Sequence, residues 1–255
     1  MSGACGVTNP YMNRRAEKGE AYEPTSSVIE EVNCFVDEHL ANVITHGFAI
    51  IPSLFICQTL LDAAHRDLQF HLMLMYGFFT VLLFSASTTY HLCELLFRPN
   101  KRTLRYYLHI ADRTVIYFFI ASSATPWLTI RHAQTVGAHL KWFVWVFAFF
   151  GIGYQLKYHE KNKTLETCLY VMVASLPYVG IITMNDRSGM PWMIFGGLVY
   201  GTGAVFFKLD GRVPFAHAIW HLFVVAGASI HTYAVYSSLL GPDKQNPFPE
   251  VTIPE

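Results

Sequence analysis

Charged side chains are scarce in this sequence. Only 14% of its 255 residues are Asp, Glu, Lys or Arg, whereas soluble domains carry about 25%. Hydrophobic residues make up 53% of the chain, which is more apolar surface than a soluble fold of this size could bury. The scarcity of charge therefore excludes an ordinary soluble protein and indicates one whose outer surface faces lipid.

Three further absences narrow the class of protein. The formal net charge is zero, so no basic excess points to a nucleic-acid partner. The five cysteines are scattered and include no CxxC pair, which argues against a disulfide framework and against a thiolate zinc site. Residues 1–39 are polar and show no cleavable signal peptide. We therefore expect the first apolar segment to direct membrane insertion as well.

Long apolar runs are what the sequence does contain. A helix needs about 20 mostly apolar residues to cross a bilayer, and clusters of charged and turn-forming residues separate seven such runs. The runs cover about residues 40–62, 71–97, 104–130, 138–156, 164–184, 191–207 and 214–240. The pattern predicts an all-α membrane protein, a seven-transmembrane helical bundle over 40–240, with polar tails at 1–39 and 241–255.

The distribution of Lys and Arg predicts the orientation of the bundle. Cytosolic loops carry an excess of these residues. Twelve of them fall in the amino-terminal tail and the even-numbered loops, five fall on the other side, and Arg113 lies inside the third segment. The sequence therefore predicts a cytosolic amino terminus and a lumenal or extracellular carboxyl terminus.

Ionisable residues inside the apolar segments are the candidates for function, because burying charge in a bilayer is costly. His217 and His221 begin the seventh segment at a spacing that puts both on one helix face. Ser87 and His91 share a face near the end of the second segment, and Asp112 follows the start of the third. At about 1.5 Å per residue, all three sets lie about 8–10 Å from the cytosolic boundary.

Three neutral imidazoles at one depth are typical of an open, catalytic-type zinc site. His91, His217 and His221 would supply three nitrogen ligands and leave the fourth position to a water. Asp112 would hold or deprotonate that water. This pattern predicts that the protein binds Zn²⁺ between the second, third and seventh segments.

Each of these assignments has an alternative. Two histidines one turn apart can simply hydrogen-bond, and Asp112 can form an ion pair with Arg113, although adjacent helix residues point about 100° apart. His46 lies at a comparable depth and is a rival ligand. His71 and His231 are expected to pack or hydrogen-bond. The remaining histidines are expected in loops or at the membrane interface: His39, His65, His109, His132, His139 and His159.

The same residues resemble the core pattern of the progestin and adipoQ receptor family, which is related to bacterial hemolysin III proteins. The residues that carry the resemblance are the segment from Glu38 to His46, Ser87-x3-His91, Asp112, and His217-x3-His221 with the later His231. Three runs resemble the monocyte-to-macrophage differentiation factor branch in particular: Asp112–Ala121, Tyr158–Lys161 and Pro214–Phe223. The similarity extends from about residue 22 to residue 240.

The resemblance implies a seven-span fold with zinc held by His91, His217 and His221, with Asp112 on the water at the zinc and Ser87 beside it. The adiponectin-receptor branch and the alkaline ceramidases that share the pattern are associated with ceramide amide hydrolysis. The differentiation-factor branch is less clearly enzymatic and is placed on Golgi and endolysosomal membranes. Golgi, late endosomal, lysosomal or plasma membranes are therefore the expected locations. Adiponectin binding is not implied, because the amino-terminal region is short and acidic.

Two functions fit these residues. The first is a zinc-dependent hydrolase of a ceramide-like lipid amide with a signalling role, in which Asp112 is the general base and Ser87 helps to hold the oxyanion. The second is a non-catalytic receptor or scaffold with signalling proteins as partners, in which zinc ties the helices together. A structural site would have its fourth position closed by a protein group, for which His46 and Asp112 are the candidates. A membrane lipid is the expected substrate or ligand.

The orientation has a reporter in the sequence. Asn162-Lys-Thr164 is the only N-glycosylation sequon, and it lies in the fourth loop. Because we expect that loop in the cytosol, Asn162 should stay unmodified, and a tag added after Glu255 should be reached by antibody from the non-cytosolic side without permeabilisation. A glycan that an endoglycosidase removes and that Asn162→Gln abolishes would show that the orientation is the reverse.

Overall fold

Seven helices follow one another in the computed structural model, which describes residues 26–131, 134–159, 161–184 and 186–240. They are α1 (Ser26–Asp62), α2 (Asp67–Phe97), α3 (Arg102–Ile130), α4 (Gln134–Tyr158), α5 (Lys163–Ile182), α6 (Met190–Leu209) and α7 (Ala216–Val235), with a π-helical turn (Tyr236–Leu240) after α7. The described residues contain no strand. The prediction of an all-helical protein is therefore confirmed for the described part of the chain.

The helices end where the sequence supplies charge and turn residues. Gly189 and Gly211 have φ of 82° and 83°, a left-handed conformation that glycine adopts without a steric penalty. The Asn162 side chain accepts a hydrogen bond from the Leu165 backbone N–H at 3.1 Å, which caps the start of α5. Pro52, Pro126 and Pro177 lie inside helices, as neighbouring helices allow in a bundle.

Four helices are long and apolar enough to cross a membrane. They are Asn33–Asp62, Asp67–Phe97, Met190–Leu209 and Ala216–Leu240. Large apolar side chains also face outwards, and Phe48 and Leu198 are 81% and 65% exposed. An outer surface of this kind requires lipid rather than water around it. The structure thus agrees with the inference drawn from the scarcity of charge.

The helices do not pack with equal closeness. α6 contacts α7 extensively, whereas it contacts α5 at few points. A Cβ at Gly196, Gly203 or Gly227 would collide with a ring of the facing helix, so these glycines allow α6 and α7 to approach closely. Among the described residues one contact of this kind joins α5 to α6, the Tyr178 ring against Gly197, and the interior opens where these two helices contact each other least.

Polar contacts hold the two ends of the bundle. At the end where α2 meets α3, Glu94 accepts hydrogen bonds from Arg105 at 2.7 Å and pairs with Arg98 at 3.7 Å. At the opposite end, buried Arg131 contacts Asp186, the Ser188 hydroxyl and a backbone carbonyl. The first cluster fixes the turn between α2 and α3, whereas the second joins segments that are distant in sequence.

The cysteines are mostly unpaired. Cys57, Cys93 and Cys168 are free thiols, whereas Cys34 is disulfide-bonded. The scattered spacing gave no sign of this bond, because spacing alone does not show which segments of a chain meet in space. The sequence led us to expect no disulfide framework, and Cys34 is the exception to this expectation among the described cysteines.

Candidate metal centre

The three histidines predicted as metal ligands lie together inside the bundle. His91 comes from α2, and His217 and His221 come from successive turns of α7. One nitrogen from each lies within 4.8 Å of the other two, a group that could hold a metal ion. His91 and His221 are buried and His217 is partly exposed. Helical spacing accounts for the pair on α7, and the packing of α2 near α7 brings in the third ring.

The outer nitrogen of each ring has a polar partner. His91 Nδ1 lies 2.9 Å from His39 Nδ1, His221 Nδ1 lies 3.1 Å from Thr45 Oγ1, and His217 Nδ1 lies 3.4 Å from an oxygen of Asp210. Histidines that bind a metal through one nitrogen characteristically hydrogen-bond through the other. All three rings therefore leave Nε2 as the atom directed at the shared space.

The inner nitrogen of His91 supports this interpretation directly. His91 Nε2 is buried and has no hydrogen-bond partner among the described residues. A buried nitrogen left without a partner costs about 1–3 kcal/mol, and such groups call for a specific explanation. A metal ion coordinated by the three Nε2 atoms would remove this cost, so the donor set and its surroundings fit a metal.

Asp210 connects the metal centre to the start of α5. Its carboxylate accepts a hydrogen bond from the Lys163 ammonium at 2.8 Å on one side and faces His217 on the other. Burial alone would raise the pKa of the Asp210 carboxyl, but His217 and Lys163 together lower it below its ordinary value. The ionised carboxylate is a strong acceptor for the His217 Nδ1–H.

Asp112 and Ser87 lie beside the histidine group and are both buried. Ser87 Oγ lies 3.5 Å from His221 Nε2. Arg113 points elsewhere: it donates to Glu166 of α5 at 3.3 Å and stacks over Phe207 at 4.8 Å. Arg113 is thus directed at α5 and α6, where Glu166 and Phe207 lie.

His46 occupies an unusual position for a residue outside the histidine group. Its ring stacks on that of His221, with centroids 3.6 Å apart and planes inclined by 11°. Both of its ring nitrogens are buried, and neither has a hydrogen-bond partner among the described residues. The rival ligand considered from the sequence is thus a neighbour of the site rather than a member of the group.

A cavity of about 410 Å³ adjoins the metal centre. Asp112, Ser87, His217 and His221 line one end, and apolar residues of α3, α5, α6 and α7 line the rest. Several side chains that line it are also exposed on the outer surface, on α5 and on α6: Val171, Ser175, Ile194 and Leu198. The cavity therefore opens sideways between α5 and α6, where the helices contact each other least.

The expectations for the other histidines are confirmed in some cases and wrong in others. His71 Nδ1 contacts the Asp67 carbonyl at 2.7 Å and His231 Nε2 contacts the Met193 carbonyl at 3.2 Å, as expected for hydrogen-bonding residues. His39 was expected in a loop or at the membrane interface, and the loop alternative is wrong, because α1 begins at Ser26 and carries this side chain to His91.

Two further histidines lie together at the same end of the bundle. His109 belongs to α3, and its Nδ1 lies 3.1 Å from His159 Nε2, so it is not a loop residue. His65 and His139 are exposed, in the α1–α2 connection and in α4 respectively. His132 lies outside the described residues.

Sequence reasoning missed the partners of the outer nitrogens, namely His39, Thr45 and Asp210. A signal was present on α1. Polar residues recur there at spacings of three and four as the chain enters its first apolar run: Glu38, His39, Asn42, Thr45 and His46. At 3.6 residues per turn these residues share one helix face. Asp210 had no comparable signal, because it lies in a loop.

Taken together, the outward-facing apolar surface and the buried histidine group define a multi-pass helical membrane protein with a candidate metal centre. A family model described as Haemolysin-III related matches residues 36–232, and the chain belongs to this family. The sequence resemblance to the progestin and adipoQ receptor proteins is thereby confirmed.

Individual relatives agree with this assignment. The chain is 39% identical over 230 residues to the protein named Monocyte to macrophage differentiation factor of Homo sapiens, covering 90% of this chain and 92% of the relative. The relative of that name in Mus musculus gives the same values. Hemolysin-3 of Bacillus cereus is 30% identical over 207 residues, covering 79% of this chain and 91% of the bacterial protein.

The geometry predicts the effect of removing each histidine on metal content. His91→Ala, His217→Ala or His221→Ala should each largely abolish the divalent metal that elemental analysis finds in the purified protein. At a free metal concentration of about 100 Kd, wild type should gain about 2.7 kcal/mol of stability that these variants lack. Thermal unfolding with and without added metal measures this gain.

His71→Ala is the control for the metal experiment, because His71 is exposed and its Nδ1 contacts a backbone carbonyl of its own helix, away from the histidine group. It should retain the metal and its stabilising effect. Loss of metal from His46→Ala, with metal retained by His91→Ala, would show that the ligand assignment is wrong.

Proposed function

We propose that this protein is a zinc-dependent lipid amide hydrolase with seven membrane spans, its amino terminus in the cytosol and its carboxyl terminus lumenal or extracellular. The observation that carries the proposal is the position of Asp112 and Ser87. They lie beside three convergent imidazoles at the polar end of an apolar cavity. The substrate class is a ceramide-like lipid, in which an amide joins an acyl chain to a polar group.

The ligand set favours zinc among divalent metals. Three neutral imidazoles with an open fourth position form a donor set that zinc uses in catalytic sites. The described residues place no thiolate in the group, since His91, His217 and His221 are its only members. Calcium and magnesium prefer oxygen ligands instead. Zinc therefore fits the donors better than the other common biological cations.

The cavity supports a lipid as substrate. Its wall is mainly apolar beyond the metal centre, which suits an acyl chain, and its volume of about 410 Å³ is within the usual range for small-molecule sites. The opening between α5 and α6 faces the outer, lipid-facing surface. A membrane lipid could enter there without leaving the bilayer, with its amide directed towards Asp112 and Ser87.

Each protein group has a role in the hydrolysis. Zinc at this site would polarise the amide carbonyl and favour ionisation of a water. Asp112 accepts the proton of the attacking water and returns it to the departing amine, as the C–N bond breaks and a fatty acid and an amine form. Ser87 lies near His221, where its hydroxyl can help to hold the oxyanion.

A second function, a non-catalytic receptor or scaffold, has one observation in its favour. His46 stacks on His221 and its ring nitrogens have no hydrogen-bond partner among the described residues. A small movement of α1 would let His46 close the fourth position, as in structural zinc sites. Zinc would then tie α1, α2 and α7 together, and signalling proteins would be the partners of the assembled bundle.

We further propose that the protein resides in Golgi, late endosomal, lysosomal or plasma membranes. The support is the similarity to the differentiation-factor relatives, in which 39% of residues are identical over 230 residues. The lipid-facing surface of the helices agrees with residence in a membrane. In either function the membrane also supplies the lipid that occupies the cavity.

The substitution Asp112→Asn separates catalysis from scaffolding. It is nearly isosteric and leaves the three imidazoles in place, so we expect zinc content and folding to survive. It removes the proton acceptor, a role worth about 10²–10⁴-fold in rate, so turnover of a ceramide-like lipid by purified protein should fall by that factor. A scaffold would behave as wild type in cellular assays that the histidine variants fail.

Arg113→Gln is the matched control, because Arg113 is adjacent in sequence but pairs with Glu166. Removing one partner of a buried ion pair costs about 3–5 kcal/mol. This variant should therefore be less stable than wild type but should retain its zinc and its zinc-dependent turnover. If Asp112→Asn loses stability to the same extent and shows no separate loss of turnover, Asp112 is a structural residue and the catalytic assignment is wrong.

A further inference from the structure

Helix α1 contributes no member of the histidine group, yet it surrounds that group with polar side chains. His39, Asn42 and Thr45 approach the rings of His91 and His221. Glu38 accepts a hydrogen bond from the Phe215 backbone N–H at 3.1 Å, just before α7 begins. One face of α1 is therefore directed at the two helices that carry the ligands.

Thr45 determines which nitrogen of His221 carries the proton. Its hydroxyl lies 2.9 Å from the Ala41 carbonyl of the preceding turn, to which a helical threonine characteristically donates its hydrogen. With its only proton used there, Thr45 Oγ1 can act towards His221 Nδ1, 3.1 Å away, only as an acceptor. His221 must then carry its proton on Nδ1, which leaves the lone pair on Nε2.

His39 lies at the corresponding position on His91, where it is nearer to Nδ1 than the Asn42 amide nitrogen, which is 3.5 Å away. A neutral imidazole that offers its Nε2 lone pair to a metal carries its proton on Nδ1 and needs an acceptor there. His39 Nδ1, at 2.9 Å, can supply it. The His39 ring is itself held by Phe35, with centroids 4.3 Å apart. The acceptor is therefore fixed in place by packing.

We propose that Thr45 and His39 are positioning residues that fix the tautomers and orientations of His221 and His91, so that α1 sets the metal affinity without supplying a ligand. The inference rests on the proposed zinc binding. Hydrogen-bond partners of this kind typically change metal affinity by about 10–100-fold when they are removed. A purely structural role would instead affect the stability of the metal-free protein.

Thr45→Val and Thr45→Ser form the test, because valine keeps the β-branched shape and removes the acceptor, whereas serine keeps the acceptor. Zinc affinity of the full-length protein in lipid nanodiscs would be measured by competition with a chelator. We expect Thr45→Val to bind zinc about 10–100-fold more weakly and Thr45→Ser to bind close to wild type. The metal-free melting temperatures of the two variants should agree.

Cobalt substitution gives a second readout. The visible absorption of Co²⁺ reports the geometry and basicity of its ligands, so Thr45→Val should shift the spectrum while Thr45→Ser should not. Thr45→Val with wild-type affinity and an unchanged cobalt spectrum would overturn the proposal. An equal fall in zinc affinity in Thr45→Val and Thr45→Ser would also overturn it, because the hydrogen-bond acceptor would then make no difference.

Substitutions of His39 provide an independent test of the proposal. His39→Phe keeps an aromatic ring against Phe35 and removes the acceptor, whereas His39→Gln offers an amide oxygen in its place. We expect weaker zinc binding in His39→Phe and recovery in His39→Gln. Because the two positioning residues act on different ligands, the losses in His39→Phe and Thr45→Val should add on a logarithmic scale.

The outcomes separate this inference from the proposed function. Wild-type protein that binds no zinc would overturn both. Wild-type protein that binds zinc, with binding unchanged in Thr45→Val and His39→Phe, would overturn only the inference about α1. Zinc lost from His39→Phe and also from His39→Gln would make His39 a direct ligand and would contradict its assignment as a positioning residue.

Discussion

Three imidazoles inside an apolar bundle need polar partners for their ring nitrogens, and the rest of this structure depends on that constraint. Each ring of His91, His217 and His221 has two nitrogens, and a buried polar atom without a partner is costly in surroundings that contain little water. The outer nitrogens meet His39, Asp210 and Thr45. The inner ones converge on a common space that could hold a metal ion, which would satisfy all three at once.

This constraint links parts of the chain that are far apart in sequence. α1 must lie against α2 and α7 because its polar face supplies partners for their rings. The loop before α7 must approach the start of α5, because Asp210 bridges His217 and Lys163. In the described part of the chain α5 and α6 contact each other at few points, and the cavity opens between them. The polar end of the cavity and its lateral opening thus follow from the same arrangement.

Much of the architecture could be predicted from the sequence. The seven apolar runs correspond to the seven described helices, since a break in apolar character is a local property that residues such as Arg98 and Gly189 reveal directly. His217 and His221 could be paired because helical spacing is local too. The membership of His91 in the same group needed an argument about depth, and that argument placed it correctly near the other two rings.

Other features could not be predicted, for identifiable physical reasons. His39 was expected in a loop or at the membrane interface, because it precedes the first apolar run, whereas α1 begins well before that run. Asp210 lies in a loop, and contacts of loop residues depend on how helices pack. Glu166 emerged as the partner of Arg113 only in three dimensions, because pairing across helices depends on their relative rotation. Long-range contacts of this kind are not encoded in any short stretch of sequence.

X-ray absorption spectroscopy at the zinc edge tests the central claim most directly, because it reports the ligands of the metal in the intact protein. We expect the zinc ligands to be nitrogen and oxygen atoms at about 2.0–2.1 Å, with the multiple-scattering pattern of three imidazoles. Any zinc that remains in His91→Ala should lack the contribution of one imidazole. A shell of sulfur at about 2.3 Å, or metal-replete protein without imidazole scattering, would contradict it.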